Sequence, residues 1–104
     1  MIVVILSFLN RRGMALYPFI LLKNKSERND PVLLNHERIH LRQQIELLIL
    51  PFYIFYLINY LYHFLLTFQH DKAYRSIIFE REAYSKEADL GYLVKRKFLA
   101  FLNF

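Results

Sequence analysis

The chain has 104 residues, 56% hydrophobic and 17% aromatic, with two glycines and three prolines; this fits one folded domain and excludes a disordered composition. The net charge is +5, and the basic clusters Arg11-Arg12 and Lys95-Arg96-Lys97 lie among Phe and Leu, which points to an anionic membrane surface rather than nucleic acid. Cysteine is absent, so disulfides and thiolate zinc sites are excluded, and any zinc must be held by His, Asp or Glu.

Residues 1–9 are apolar and β-branched, which predicts a buried strand. The run is too short to cross a bilayer, and its positive charge follows rather than precedes it, unlike a secretory signal. Residues 14–22 predict a second extended stretch, and Pro18 confines it to a sheet edge because proline cannot donate to a ladder. Residues 1–29 are thus expected to form a β-hairpin region, with a polar loop over 23–30.

Asp30-Pro31 predicts a helix start, Asp as N-cap and Pro at the first helical position. The helix is expected over 31–50, ended or kinked by Pro51. Near its middle stands Asn35-His36-Glu37-Arg38-Ile39-His40, an H-E-x-x-H pattern. Helical spacing places His36 and His40 one above the other, with Gln43 and Leu47 on the same stripe and Arg38 and Arg42 on another. Two imidazoles so placed can hold one zinc ion, and the carboxylate of Glu37 can act on a water at the metal.

From Leu47 to Gln69 there is no Asp, Glu, Lys or Arg. Residues 52–69 therefore predict an apolar helix long enough to be a membrane span. Pro51 divides the run and tyrosines are spread along it, which favours a buried or interfacial helix over a true span. Asp71 is expected to cap a further helix over 72–90, with Gly91 as its stop. That helix carries Phe79-Glu80-Arg81-Glu82-Ala83-Tyr84. Residues 92–104 form a basic, aromatic segment in which Lys95-Arg96-Lys97 is expected to be a solvated face. The Tyr and Phe stripes read as core, His63 as a packed polar residue and His70 as a helix-end residue.

A catalytic zinc usually has three protein ligands and one open position. No third histidine follows at short spacing: Gln43 and Glu46 stand where H-E-x-x-H-x-x-G-x-x-H needs Gly and His. The ligand is therefore expected to be a carboxylate from a later helix. On these residues the chain resembles the gluzincin metallopeptidases, with H-E-x-x-H on one helix and a Glu ligand on a second. Its membrane-linked branches, the CAAX prenyl protease type and the BlaR-type sensors, carry E-x-x-A-D there. Glu80-Arg81-Glu82-Ala83-Tyr84 matches E-x-x-A and has Tyr84 in place of Asp.

The predicted elements make a mainly α fold with a small N-terminal β-element (α+β); the resemblance, which covers about residues 31–90, implies a minimal zincin-like domain with an active-site helix and a glutamate helix. It implies His36, His40 and Glu80 as zinc ligands; the residues themselves leave Glu82 as the alternative third ligand. It implies peptide-bond hydrolysis by a zinc-activated water, with Glu37 as general base. At Tyr84 it implies the loss of a carboxylate that supports the site. An extended peptide or protein substrate is expected to pair with the edge strand around Tyr17–Leu22. The oxyanion stabiliser is expected to be a Tyr, Arg or His. The other reading is a non-catalytic or latent membrane-associated zinc-binding interaction protein, latent if the segment after Gly91 lies over the cleft.

Overall fold

Three short apolar runs at the N-terminus pair into one sheet: β1 (Ile2–Ile5), β2 (Gly13–Leu16) and β3 (Phe19–Leu22). The computed structural model describes residues 2–104; Met1, first in the N-terminal apolar run, lies outside them. The strand order is β1-β3-β2, with β1 parallel and β2 antiparallel to β3. This corrects the expected hairpin region in two respects. Residues 14–22 are two strands, turned at Tyr17-Pro18, where no ladder hydrogen bond is needed from the proline nitrogen. Phe19–Leu22 is the central strand, so the available edge beside the helices is β2. Ile20 and Leu22 alternate onto the buried face and pack with Ala15 against Leu41 of the first helix.

The first helix, α1 (Pro31–Leu47), starts as predicted. The Asp30 side chain accepts from Val32 N and Leu33 N, both at 3.1 Å, and Pro31 takes the first helical position. The helix ends earlier than expected, at Leu48, whose φ of 61° breaks it. Pro51 neither ends nor kinks α1. It sits in the first turn of α2 (Ile49–Thr67), where a missing N–H costs no helical hydrogen bond.

The apolar helix α2 is a partner of the core only along one side. Phe52 alone is fully buried, and Tyr53, Tyr56 and Tyr60 are half-buried on the same side. The other sides are exposed, which corrects the buried alternative. By length and composition this helix is able to cross a membrane, and only 6% of its apolar window is covered by the rest of the chain.

The expected helix over 72–90 is two helices, α3 (His70–Ser76) and α4 (Ile78–Lys86). The break falls at Ile77, fully buried with φ −57° and ψ 132°. Asn59 Oδ1, from α2, accepts from Ile78 N at 2.7 Å and so replaces the helical partner lost at the break. Asp71 is not the N-cap; it lies in the first turn of α3 and pairs with Arg75 at 3.6 Å. Gly91 is not the stop of α4, which ends at Lys86; it precedes a one-turn helix, α5 (Tyr92–Lys95). The chain closes with a 3₁₀ turn over Ala100–Asn103 that packs Phe101 against Phe52, Ile77 and Phe79. The fold is mainly α, 63% helical, with a small three-stranded N-terminal sheet, as the sequence predicts.

Candidate metal centre

Six of the eight buried residues of α1 are polar: Asn35, His36, Glu37, His40, Gln43 and Gln44. A buried polar group without a partner is costly, so each must be spoken for. Asn35 Nδ2 donates to the carbonyls of Lys86, Glu87 and Asp89 and ties α1 to the end of α4. Gln44 binds the edge strand: its Nε2 donates to Ala15 O at 3.0 Å, and its Oε1 accepts from Tyr17 N at 2.8 Å.

The break at Ile77 sets the direction of α4 and brings Glu80 over the two histidines. Glu80 Oε1 lies 3.2 Å from His36 Nε2 and 2.9 Å from His40 Nε2. One donor atom from each of His36, His40 and Glu80 lies within 4.8 Å of the others, all three residues are buried, and the group can hold a metal ion. Two imidazole nitrogens and one carboxylate oxygen suit a borderline divalent cation.

Each of these candidate ligands is oriented from behind. Gln43 Nε2 donates to Phe79 O at 3.1 Å and to Glu82 Oε1 at 2.8 Å, so Gln43 Oε1 is left to accept from His40 Nδ1 at 2.8 Å. This fixes the proton of neutral His40 on Nδ1 and leaves Nε2 as the metal-facing lone pair. Glu87 Oε1 stands 3.2 Å from His36 Nδ1 and does the same for the other ring. Tyr56 OH donates to Glu80 Oε2 at 2.6 Å.

Tyr84 packs its ring edge-on against His36, centroids 4.6 Å apart. The loss of support implied by Tyr84 is thus made good by Glu87. Glu82 is not a ligand. It is fully buried and accepts from Arg96 Nε at 2.5 Å, Arg96 Nη2 at 3.0 Å and Tyr92 OH at 2.5 Å. Arg96 therefore is no solvated cation: its side chain is buried between Glu82 and Glu46, the latter at 2.6 Å.

The electrostatics follow from this burial. Burial raises the Glu37 carboxyl above its ordinary range, and the charges of His40 and His36 offset this only in part. Burial alone would push His40 down, but the Glu80 carboxylate beside it raises the imidazole to about 9. For Glu80, burial is outweighed by the charge of His40 and by hydrogen bonds from His36, His40 and Tyr56, and its carboxyl is held well below the usual range.

A cleft of about 520 Å³ opens beside this centre. His40, Glu80 and Glu37 are in its wall, with Tyr53, Tyr56 and Tyr60 from α2 and His70 and Tyr74 from α3. The tyrosine stripe read as core is thus largely cleft wall. No residue after Glu80 lines the cleft, so the C-terminal segment does not cover it. Edge strand β2 forms the other wall. At Gly13 a Cβ would sit 3.3 Å from Leu22 Cδ2 and 3.4 Å from Glu37 Oε2, so the missing side chain lets the strand pass close to Glu37.

Lys23 N donates to Arg12 O at 3.0 Å, which makes Gly13–Leu22 and Ala15–Ile20 the non-hydrogen-bonded pairs. The backbone groups of Gly13 and Ala15 therefore point away from β3. Ala15 O meets Gln44 Nε2 and, at 2.8 Å, Tyr53 OH. The edge expected at Tyr17–Leu22 is corrected: Phe19–Leu22 is the central strand, and the open edge is Gly13–Ala15.

Compared with protein-family profiles, with curated proteins and with solved structures, the chain gives no match.

Proposed function

We propose that the protein is a zinc-dependent peptidase that works at a membrane surface. The observation that carries this reading is the convergence of His36, His40 and Glu80, two of which, His40 and Glu80, lie in the wall of a cleft that also holds buried Glu37 and an open strand edge. Three protein donors of this kind match catalytic rather than structural zinc, and the gluzincin resemblance names the same residues. When bound, zinc supplies a Lewis acid that acidifies a coordinated water and polarises the scissile carbonyl.

The chain's own residues do the rest. The free N–H and C=O of Gly13 and the N–H of Ala15 pair with an extended peptide and lay one of its amides beside Glu37. Glu37 accepts the proton of the attacking water and delivers it to the leaving amine. Burial raises its carboxyl above the ordinary range, which makes the carboxylate a stronger base. Tyr56 and Glu87 hold Glu80 and His36 in place, while Gln43 holds His40.

The exposed flank of α2, with Ile54, Phe55, Ile58, Leu61, Leu65 and Leu66, supports a membrane location. The helix lies in the interface rather than across the bilayer. Helix α3 packs back against α2 and carries exposed Asp71, Lys72 and Arg75, charges that a spanning α2 would draw into hydrocarbon.

The test is hydrolysis of a quenched fluorescent peptide library by the purified, zinc-supplied protein beside Glu37→Gln. The expected result is cleavage that falls by at least about a hundredfold in the variant, with its zinc content unchanged. Equal cleavage by both proteins, or none by either, contradicts the reading.

A further inference from the structure

The cleft is lined by two glutamates, Glu37 and Glu80, and by one arginine, Arg11. The two glutamates belong to the hydrolytic centre as read above, in which Arg11 is assigned no step. Its guanidinium lies over the Tyr74 ring, 3.7 Å from the centroid, a contact that holds the group without using its N–H donors. The next residue, Arg12, turns elsewhere and pairs with Glu27 and Asp30. Among the described residues no carboxylate lies within ion-pair distance of Arg11.

Its position along the edge gives this cation a meaning. Arg11 stands two residues before Gly13, at the upstream end of β2. A peptide paired antiparallel to β2 runs from Ala15 towards Gly13 and brings its C-terminal end to Arg11. Glu37 is beside Gly13, so the reacting amide and Arg11 are separated by about 7 Å, two residues of extended chain.

We propose that Arg11 anchors the free α-carboxylate of the substrate, so that the cleft takes peptides by their C-terminal end and cuts within about two residues of it. The planar guanidinium fork suits a carboxylate better than an ammonium does. The inference rests on the peptidase reading and names its substrate class. In the reaction the C–N bond breaks, the oxygen of water enters the new carboxylate, and its proton passes through Glu37 to the released amine.

The probes are a dansylated Ala-Ala-Phe tripeptide and its C-terminal amide. Their phenylalanine matches the apolar wall at Phe52 and Leu57. Binding is read by dansyl anisotropy on the zinc-loaded full chain carrying Glu37→Gln, which leaves the peptides intact. The acid is expected to bind at least about tenfold more tightly than the amide, as a charge-assisted pair requires. Adding Arg11→Gln, with zinc content and far-ultraviolet circular dichroism unchanged, is expected to abolish the preference, and Arg11→Lys to restore part of it.

Equal binding of acid and amide by the Arg11-containing protein overturns the proposal, as does failure of both to bind. A preference that survives Arg11→Gln puts the carboxylate on the metal and overturns it too. Hydrolysis by the unmutated protein separates the two readings. If it cleaves neither peptide while the acid still binds through Arg11, the peptidase reading fails and the anchor stands. If it cleaves acid and amide alike, the anchor fails and the peptidase reading stands.

Discussion

At the scale of single residues, the centre depends on side chains that stand behind the three candidate ligands. Gln43 is the plainest case, because both ends of its amide are committed: Nε2 to Phe79 O and Glu82, Oε1 to His40. Replacing it with Ala frees the His40 ring to turn and to change tautomer. Isothermal titration with zinc is expected to show an affinity about 10- to 100-fold weaker in Gln43→Ala, the usual effect of losing a partner behind a metal-bound histidine. An unchanged affinity would mean that Gln43 does no more than fill space. The metal pair and Glu37 were readable from the sequence because four-residue spacing dictates a shared helix face. Glu87 carries the same kind of signal, since it lies two turns after Glu80 and so near the same face. The position at which the resemblance places a carboxylate is Tyr84 instead. Gln43 was placed on the right stripe, but its partner Glu82 sits on a helix whose direction no local pattern gives.

At the scale of elements, the C-terminal segment is a structural support. Arg96 reaches from beyond α5 into the core and pairs with both Glu82 and Glu46, and Leu99 N adds a hydrogen bond to Glu46 at 3.1 Å. Removing one partner of a buried ionic group leaves charge without compensation. Arg96→Met is therefore expected to lower unfolding free energy by about 3–5 kcal/mol in urea titration. A loss below about 1 kcal/mol, the range of exposed pairs, would show that the cluster is solvated instead. The sequence offered Lys95-Arg96-Lys97 as one basic patch, and charge runs are usually surface. Only the path of the chain after Gly91 separates Arg96 from its neighbours. The division of the expected 72–90 helix has the same origin. Ile77 breaks the helix because Asn59, on another helix, supplies the hydrogen bond that Ile78 N needs. By contrast the start of α1 was legible, since Asp30 and Pro31 act within one turn.

At the scale of the whole molecule, two surfaces with different chemistry meet along α2. One side of the helix gives tyrosines to the cleft, and the opposite side leaves an apolar flank uncovered. Under the proposed function, a substrate held in the cleft would lie beside the membrane surface. Flotation with phosphatidylglycerol-containing vesicles is expected to recover the protein with lipid, and Leu61→Glu with Leu65→Glu to leave it in the aqueous fraction with its helical content intact. Equal flotation of both proteins would assign the flank another role. The mainly α fold with its small sheet followed from the period of the apolar residues, but the strand order did not: β1 and β3 pair in parallel across a gap that sequence spacing leaves undefined. The central claim is that His36, His40 and Glu80 form one metal site, and metal content measures it most directly. Native mass spectrometry of the zinc-supplied protein is expected to find one zinc ion per chain, and none in His40→Ala or Glu80→Gln under the same conditions; equal zinc in all three proteins would contradict the account.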